Sequence, residues 1–191
     1  LLDAACTELR NQGCRVAVGP MNGNTWCRYR LVIDRGARPR FLLEPWNPPE
    51  YPGWWLATGF RELATYHSAR VPLLANGEKL TRVRARLEQA GVTSRALRME
   101  AFTEELRAIH RVSLEAFAGN FLYTPQSETA FLEQYERTRG RVAPELVRLA
   151  EVDGAVCGFA FGIADALNAA PGSQPDLIIK TLAVRPERRL A

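Results

Sequence analysis

The sequence predicts an α/β fold, a mixed α+β sheet divided between two half-units. Three observations carry this. Short apolar runs over 92–99, 146–150, 156–161 and 177–184 alternate with stretches whose apolar residues recur at helical spacing. Asp153-Gly154 lies between two of those runs and has the composition of a tight hairpin turn with positive φ at both central residues. A helical, arginine-rich stretch over 76–91 separates an opening region, 1–75, that starts as helix, tight turn and strand, from a closing region, 92–191, in which strands and helices alternate.

Length and composition bound the class. At 191 residues and 47% hydrophobic, the chain can bury a core, so it reads as globular. The net charge is +4, with 25 basic residues against 21 acidic ones and no basic block of five or six. Such a mixed surface reads as solvated, and nucleic acid is not the expected partner. Cys6, Cys14, Cys27 and Cys157 form no C-x-x-C pair and lack histidines at zinc spacing, so no metal is expected and they read as reduced core residues of a cytoplasmic protein. No apolar run approaches the roughly 18 residues of a membrane span, so no membrane partner is expected. Leu1 is not an initiator methionine, and both ends are expected to continue into a longer protein.

The elements follow in order. Leu1, Leu2, Ala5, Cys6 and Leu9 form one face of a helix stopped by Gly13, and 14–18 reads as a short strand closed by Gly19-Pro20. Asn22 and Asn24 sit in a polar turn, where they brace the backbone or bond a ligand. Residues 27–33 and 41–43 read as strands. Four prolines in 44–52 then forbid regular structure, and aromatic Trp46, Tyr51, Trp54 and Trp55 bracket that segment as packing residues. A short helix follows Pro52 as far as Thr58, and 60–66 reads as a further strand. In the helix over 78–90, Leu80, Val83 and Leu87 form an apolar stripe among arginines.

The second half is more regular. Residues 92–99 read as a strand, followed by a helix over 104–118 with Thr103 as its N-cap and with Leu106, Ile109, Val112 or Ser113, and Phe117 buried. His110 lies beside that stripe and reads as a core-edge histidine. The loop over 119–126 is unusually apolar, so Phe121 and Tyr123 either pack down or face a substrate. Ser127 caps the next helix, which carries Phe131, Leu132 and Tyr135. The hairpin around Asp153-Gly154 comes next, with Gly158 and Gly162 leaving room for a neighbouring backbone or a ligand. A small-residue loop leads to a buried-type strand over 177–184, and Val184-Arg-Pro-Glu-Arg-Arg-Leu-Ala191 ends the chain.

That order of elements, closing on a strand and Val-x-Pro-x-x-Arg, resembles the first half of a GNAT-superfamily N-acetyltransferase. The opening region is similar to the other half: Trp54-Trp-Leu-Ala-Thr-Gly-Phe60 resembles the late helix written Tyr-x-x-x-Gly-Phe in that family, and Gly19-Pro-Met-Asn with the run over 43–52 resembles a group of bacterial acetyltransferase-like proteins. The resemblance implies the back half of one GNAT unit over 1–75, a linker helix over 76–91, and the front half of a second unit over 92–191, cut within its acyl-CoA loop. The halves would sit as two half-sheets or meet as one composite sheet, with 14–18 beside 177–184.

In that family the central strand bulges and offers main-chain groups to the pantetheine arm, and the following Arg/Gln-x-x-Gly-x-Gly/Ala loop wraps the pyrophosphate. Backbone N–H groups at a helix N-terminus suit a diphosphate. The resemblance therefore places acetyl-CoA, as co-substrate, on Leu182, Ala183 and Val184 and on Arg189, Leu190 and Ala191. It implies an N-acetyltransferase acting on a small-molecule or peptide amine, with Asn120, Phe121 and Tyr123 lining the acceptor pocket and direct attack in a ternary complex. The alternative is a degenerate acyl-CoA-binding or protein-interaction module. Trp55 favours it for the first unit, because it stands where the family has a tyrosine acid and an indole cannot donate that proton. Glu151 and Asp176 are the nearest carboxylates, and neither is assigned as catalytic. The acyl-CoA loop being incomplete, the 191-residue chain itself is expected to be inactive. An oligomer of identical chains stays open.

Overall fold

The computed structural model describes residues 1–72 and 77–188. The chain divides into two compact units, Leu1–Leu73 and Leu74–Ala191.

In the first unit, α1 (Leu2–Asn11) and α2 (Tyr51–Ala57) match the predicted helices, and Gly13 at φ +85° ends α1. The strands expected over 14–18, 27–33, 41–43 and 60–66 do not form. Within 27–33, the N–H and C=O of Val32 would need a neighbouring strand. Buried Asn47 meets both instead: its Oδ1 accepts from Val32 N at 2.7 Å and its Nδ2 donates to Val32 O at 3.3 Å. Asn24 also braces its turn, its Oδ1 accepting from Trp26 N at 3.0 Å. Trp55 packs edge-on against Phe60, whereas Trp46 and Trp54 are half-exposed rim residues, Trp54 with its ring centroid 5.2 Å from that of Tyr51 and Trp46 beneath the Arg35 guanidinium.

The second unit holds a four-stranded antiparallel sheet in the order β1-β2-β3-β4, formed by β1 (Thr93–Ala96), β2 (Val147–Val152), β3 (Ala155–Ala164) and β4 (Leu177–Val184). The unit is an α+β structure with an open sheet. Helix α3 (Gly77–Gln89) precedes β1, and α4 (Phe102–Phe117) and α5 (Glu128–Glu136) fill the connection from β1 to β2. Asp153 at φ +52° and Gly154 at φ +75° make the expected tight turn between β2 and β3.

Helix α4 lies across β3 and β4 and buries Leu106, Ile109 and Val112 with Val147, Leu149 and Phe159 of the sheet. It starts at Phe102, earlier than expected, which places Thr103 inside the first turn rather than at the cap. The Thr103 hydroxyl instead bonds Glu136 of α5, and Arg139 joins the same group, so the two helices are tied at this end. Ser127 caps α5 by accepting from Ala130 N at 3.3 Å. The β1 strand is shorter than expected, because Met99 begins a 3₁₀ turn.

One ionic cluster fixes how β1, β2 and α4 meet. Arg95 pairs opposite Leu149, so its side chain shares the helix-facing side of the sheet with Glu151, two residues further along β2. Its guanidinium reaches Glu151 at 2.7 Å and Glu105 of α4 at 2.5 and 2.9 Å, and Arg98 adds 2.7 Å to the same Glu105 carboxylate. The Glu105 side chain is only 2% exposed. Burial alone would push its carboxyl up, but hydrogen bonds from Arg95 and Arg98 outweigh that and hold it below the ordinary carboxylate range. Hydrogen bonds to Glu105 and then to Glu151 hold Arg95 more firmly protonated than usual.

Two outcomes follow from this cluster. Glu105→Ala removes the buried carboxylate that Arg95 and Arg98 share and leaves Arg95 with Glu151 alone; it should cost about 2 kcal/mol in urea unfolding. Because the folded pKa of Glu105 is lowered, its stabilisation is present above the unfolded value of about 4.3 and is lost as pH falls through the folded value. A urea midpoint measured against pH should therefore drop on acidification in the parent protein, and less steeply in Glu105→Gln.

Candidate functional site

Strand β4 is an edge of the sheet, and its exposure corrects the buried-type reading. Leu177, Ile179 and Leu182 are 57%, 70% and 68% exposed, while Ala183 is buried against the helix side. An apolar run means burial on both faces only when both faces are covered, and among the described residues α4 packs on β4 while Leu177, Ile179 and Leu182 stay exposed, β3 being the one strand beside it.

Two features shape that edge. Phe161 pairs with Thr181 and Gly162 with Ile179, so Lys180 is an extra residue and β4 bulges there. Beyond the bulge the ladder is regular, and Arg185 N donates to Cys157 O at 2.9 Å. Hydrogen-bonded pairs alternate along an antiparallel ladder, so Ala183 shares the bonded phase of Arg185 while Leu182 and Val184 turn their N–H and C=O groups to the open edge. Of the three predicted main-chain contacts, Leu182 and Val184 thus present groups outward and Ala183 spends its own on β3. Two glycines of β3 stand where other segments approach closely: a Cβ at Gly158 would lie 3.0 Å from Ala183 O of β4, and one at Gly162 would lie 2.9 Å from the Leu177 side chain of β4 and 3.1 Å from Leu146 O in the turn before β2. A neighbouring backbone therefore occupies the room those glycines leave.

Arg185 then ties this end of β4 to α4, with Nε 3.3 Å from Glu115. Glu115 lies two residues before the end of α4, so the connection to α5 begins at the same end of the sheet. There Asn120 N donates to Phe117 O at 2.8 Å and Tyr123 N to Asn120 O at 3.0 Å, a tight turn with Leu122 at φ +56°. Its tip projects: Phe121 is 53% exposed and Asn120 is exposed too. Tyr123 packs down instead, and burial pushes its phenol pKa up. The three predicted acceptor residues thus share one turn but divide into two outward and one inward.

The remaining candidates fall elsewhere. Arg189, Leu190 and Ala191 lie outside the described residues. Glu151 is held by Arg95, and Asp176 is exposed at the start of β4, where its carbonyl accepts from Asp165 N at 2.8 Å. Of the four thiols only Cys157 is buried; Cys14 and Cys27 are exposed, against their reading as core residues. A cleft of about 460 Å³ in the first unit, lined by Cys6, Arg10, Val16 and Phe60 among others, includes none of the predicted site residues. Among the described residues no group of three or more His, Cys, Asp or Glu side chains could hold a metal, and no helix is long and apolar enough to cross a membrane. Two pairings escaped the sequence reading, Glu115 with Arg185 and His110 with Gln126, because neither has a local spacing that would betray it.

Comparison with known proteins adds one relative. Protein YghO of Escherichia coli (strain K12) is 25% identical over 171 residues, an alignment covering 85% of this chain and 42% of that protein. The chain therefore spans about two fifths of the length of the curated relative it matches. No family model matches the chain.

The exposure of Phe121 sets an expectation for stability. Phe121→Ala should change the thermal unfolding free energy by less than about 0.5 kcal/mol, because the ring contributes little buried area. A loss comparable to the roughly 3 kcal/mol of a core phenylalanine would mean that the ring packs inward.

Proposed function

We propose that the second unit is the front half of a GNAT-type acyl-CoA fold and that the protein transfers an acetyl group from acetyl-CoA to an amine. The observation that carries this is the edge of β4. A bulge at Lys180 precedes two outward-facing main-chain positions, Leu182 and Val184, in a strand that runs straight into the arginine-rich turn. The order β1, α4, α5, β2, β3, β4 in one antiparallel sheet agrees with the same reading.

The residues fit an acyl-CoA by hydrogen-bond accounting. An amide-rich arm needs alternating donors and acceptors at strand spacing, and an edge strand supplies them without disturbing its own ladder. Bound there, acetyl-CoA supplies an activated thioester carbonyl. Val184 and Leu182 bind and orient the arm through backbone N–H and C=O, and the glycine pair lets β4 sit close enough to β3 to keep that edge rigid. On the acceptor side, Asn120 offers an amide and Phe121 an apolar wall, which suits an amine carried on an apolar or aromatic body. The transfer requires the amine nitrogen to lose a proton and the departing sulfur to gain one. Glu151, the nearest carboxylate on β2, is engaged by Arg95 at 2.7 Å and is not assigned to that transfer.

That last point favours a second reading, a unit that binds acyl-CoA or a partner protein without turnover. Trp55 in place of the family's tyrosine acid points the same way for the first unit. Calorimetric titration of the full-length protein with acetyl-CoA, with CoA release followed over a panel of amines, separates the two. Binding with turnover supports the transferase. Binding without turnover moves the assignment to the degenerate acyl-CoA-binding module, and no binding removes both acyl-CoA readings and leaves the partner-protein module.

A proline at the edge provides a sharper test. Val184→Pro deletes one outward donor while sparing the ladder, since edge strands tolerate proline where the N–H faces away. Acetyl-CoA affinity should fall about tenfold, the loss of one hydrogen bond, with the thermal midpoint lowered only slightly. Unchanged affinity would exclude Val184 N–H as a contact.

A further inference from the structure

We propose that His110 is a positioning residue that holds the α4–α5 turn in the shape that presents Asn120 and Phe121. His110 is in mid-α4 and only 4% exposed. Its Nε2 lies 2.7 Å from the carbonyl oxygen of Gln126, the last residue but one before α5. A carbonyl can only accept, so Nε2 carries the proton and donates it. The ring is held for this task by Phe131 of α5, with centroids 5.0 Å apart.

The bond closes the turn from its far side. At the near side, Asn120 N and Tyr123 N are bonded back toward α4 through Phe117 O and Asn120 O. At the far side, the Gln126 side chain crosses to Gln134 of α5 at 3.0 Å, and its main chain is fixed by His110. Between the two anchors only the tip projects, and Leu122 takes up the left-handed conformation that the reversal demands. A valine or leucine at position 110 would fill the same space and leave Gln126 O without a partner in a half-buried setting. The requirement at this position is therefore for a donor at a set reach, beyond apolar volume.

The functional meaning rests on the acyl-transfer reading of this turn, but the test does not use acetyl-CoA, so failure of either is separately visible. Amide hydrogen exchange is measured on the protein at Asn120 and Tyr123, with Leu149 and Phe159 of the sheet as reference. His110→Phe keeps an aromatic ring and removes the donor, whereas His110→Gln keeps an N–H at similar reach. His110→Phe should speed exchange at Asn120 and Tyr123 about tenfold and leave the two sheet amides within about twofold, and His110→Gln should restore the parent rates. The proposal is overturned if His110→Phe leaves the turn unchanged, if it speeds turn and sheet alike, or if His110→Gln fails to restore protection.

Discussion

The second unit depends on where one buried carboxylate sits. Glu105 cannot be left unpaired in the interior, and its two arginine partners come from β1 and from the turn that follows it. Meeting that demand sets the start of α4 over β1, and Arg95 extends the constraint to β2 through Glu151. Once α4 is fixed at this end, its apolar stripe has one way to lie on β3 and β4. The Glu115–Arg185 contact then closes the far end, where the two candidate surfaces meet. The hydrophobic core supplies most of the free energy, while the ionic cluster chooses which arrangement that core adopts.

What was legible in the sequence was local. The Asp153-Gly154 turn, the Ser127 cap and the stripe Leu106, Ile109, Val112 each lie within one turn or one helix face, and spacing alone reveals them. The strands expected in the first unit were composed like strands, but a strand exists only if another supplies its ladder, and in the structure a single asparagine meets that need at Val32. The exposure of β4 was hidden for a related reason: an apolar run does not say whether its strand is central or at an edge. The Arg95 cluster joins positions 10 and 56 residues apart, a separation that no periodicity marks.

The candidate site divides along the same line. Its residues were found from a motif-like ending, whereas the roles they can play come from the ladder phase. Alternation puts Ala183 on the inside and Leu182 and Val184 on the outside, so three consecutive residues split between building the sheet and offering groups at its edge. Tyr123 and Phe121 divide similarly within one turn, the first adding to the interior and the second standing clear of it.

The extra residue at Lys180 has a bearing on solubility. An unpaired edge lined by Leu177, Ile179 and Leu182 is the kind of template onto which a strand from another molecule can add, the first step toward aggregation. A bulge breaks the even spacing such an addition needs. The irregularity that shapes this edge therefore also acts as a gatekeeper against self-association.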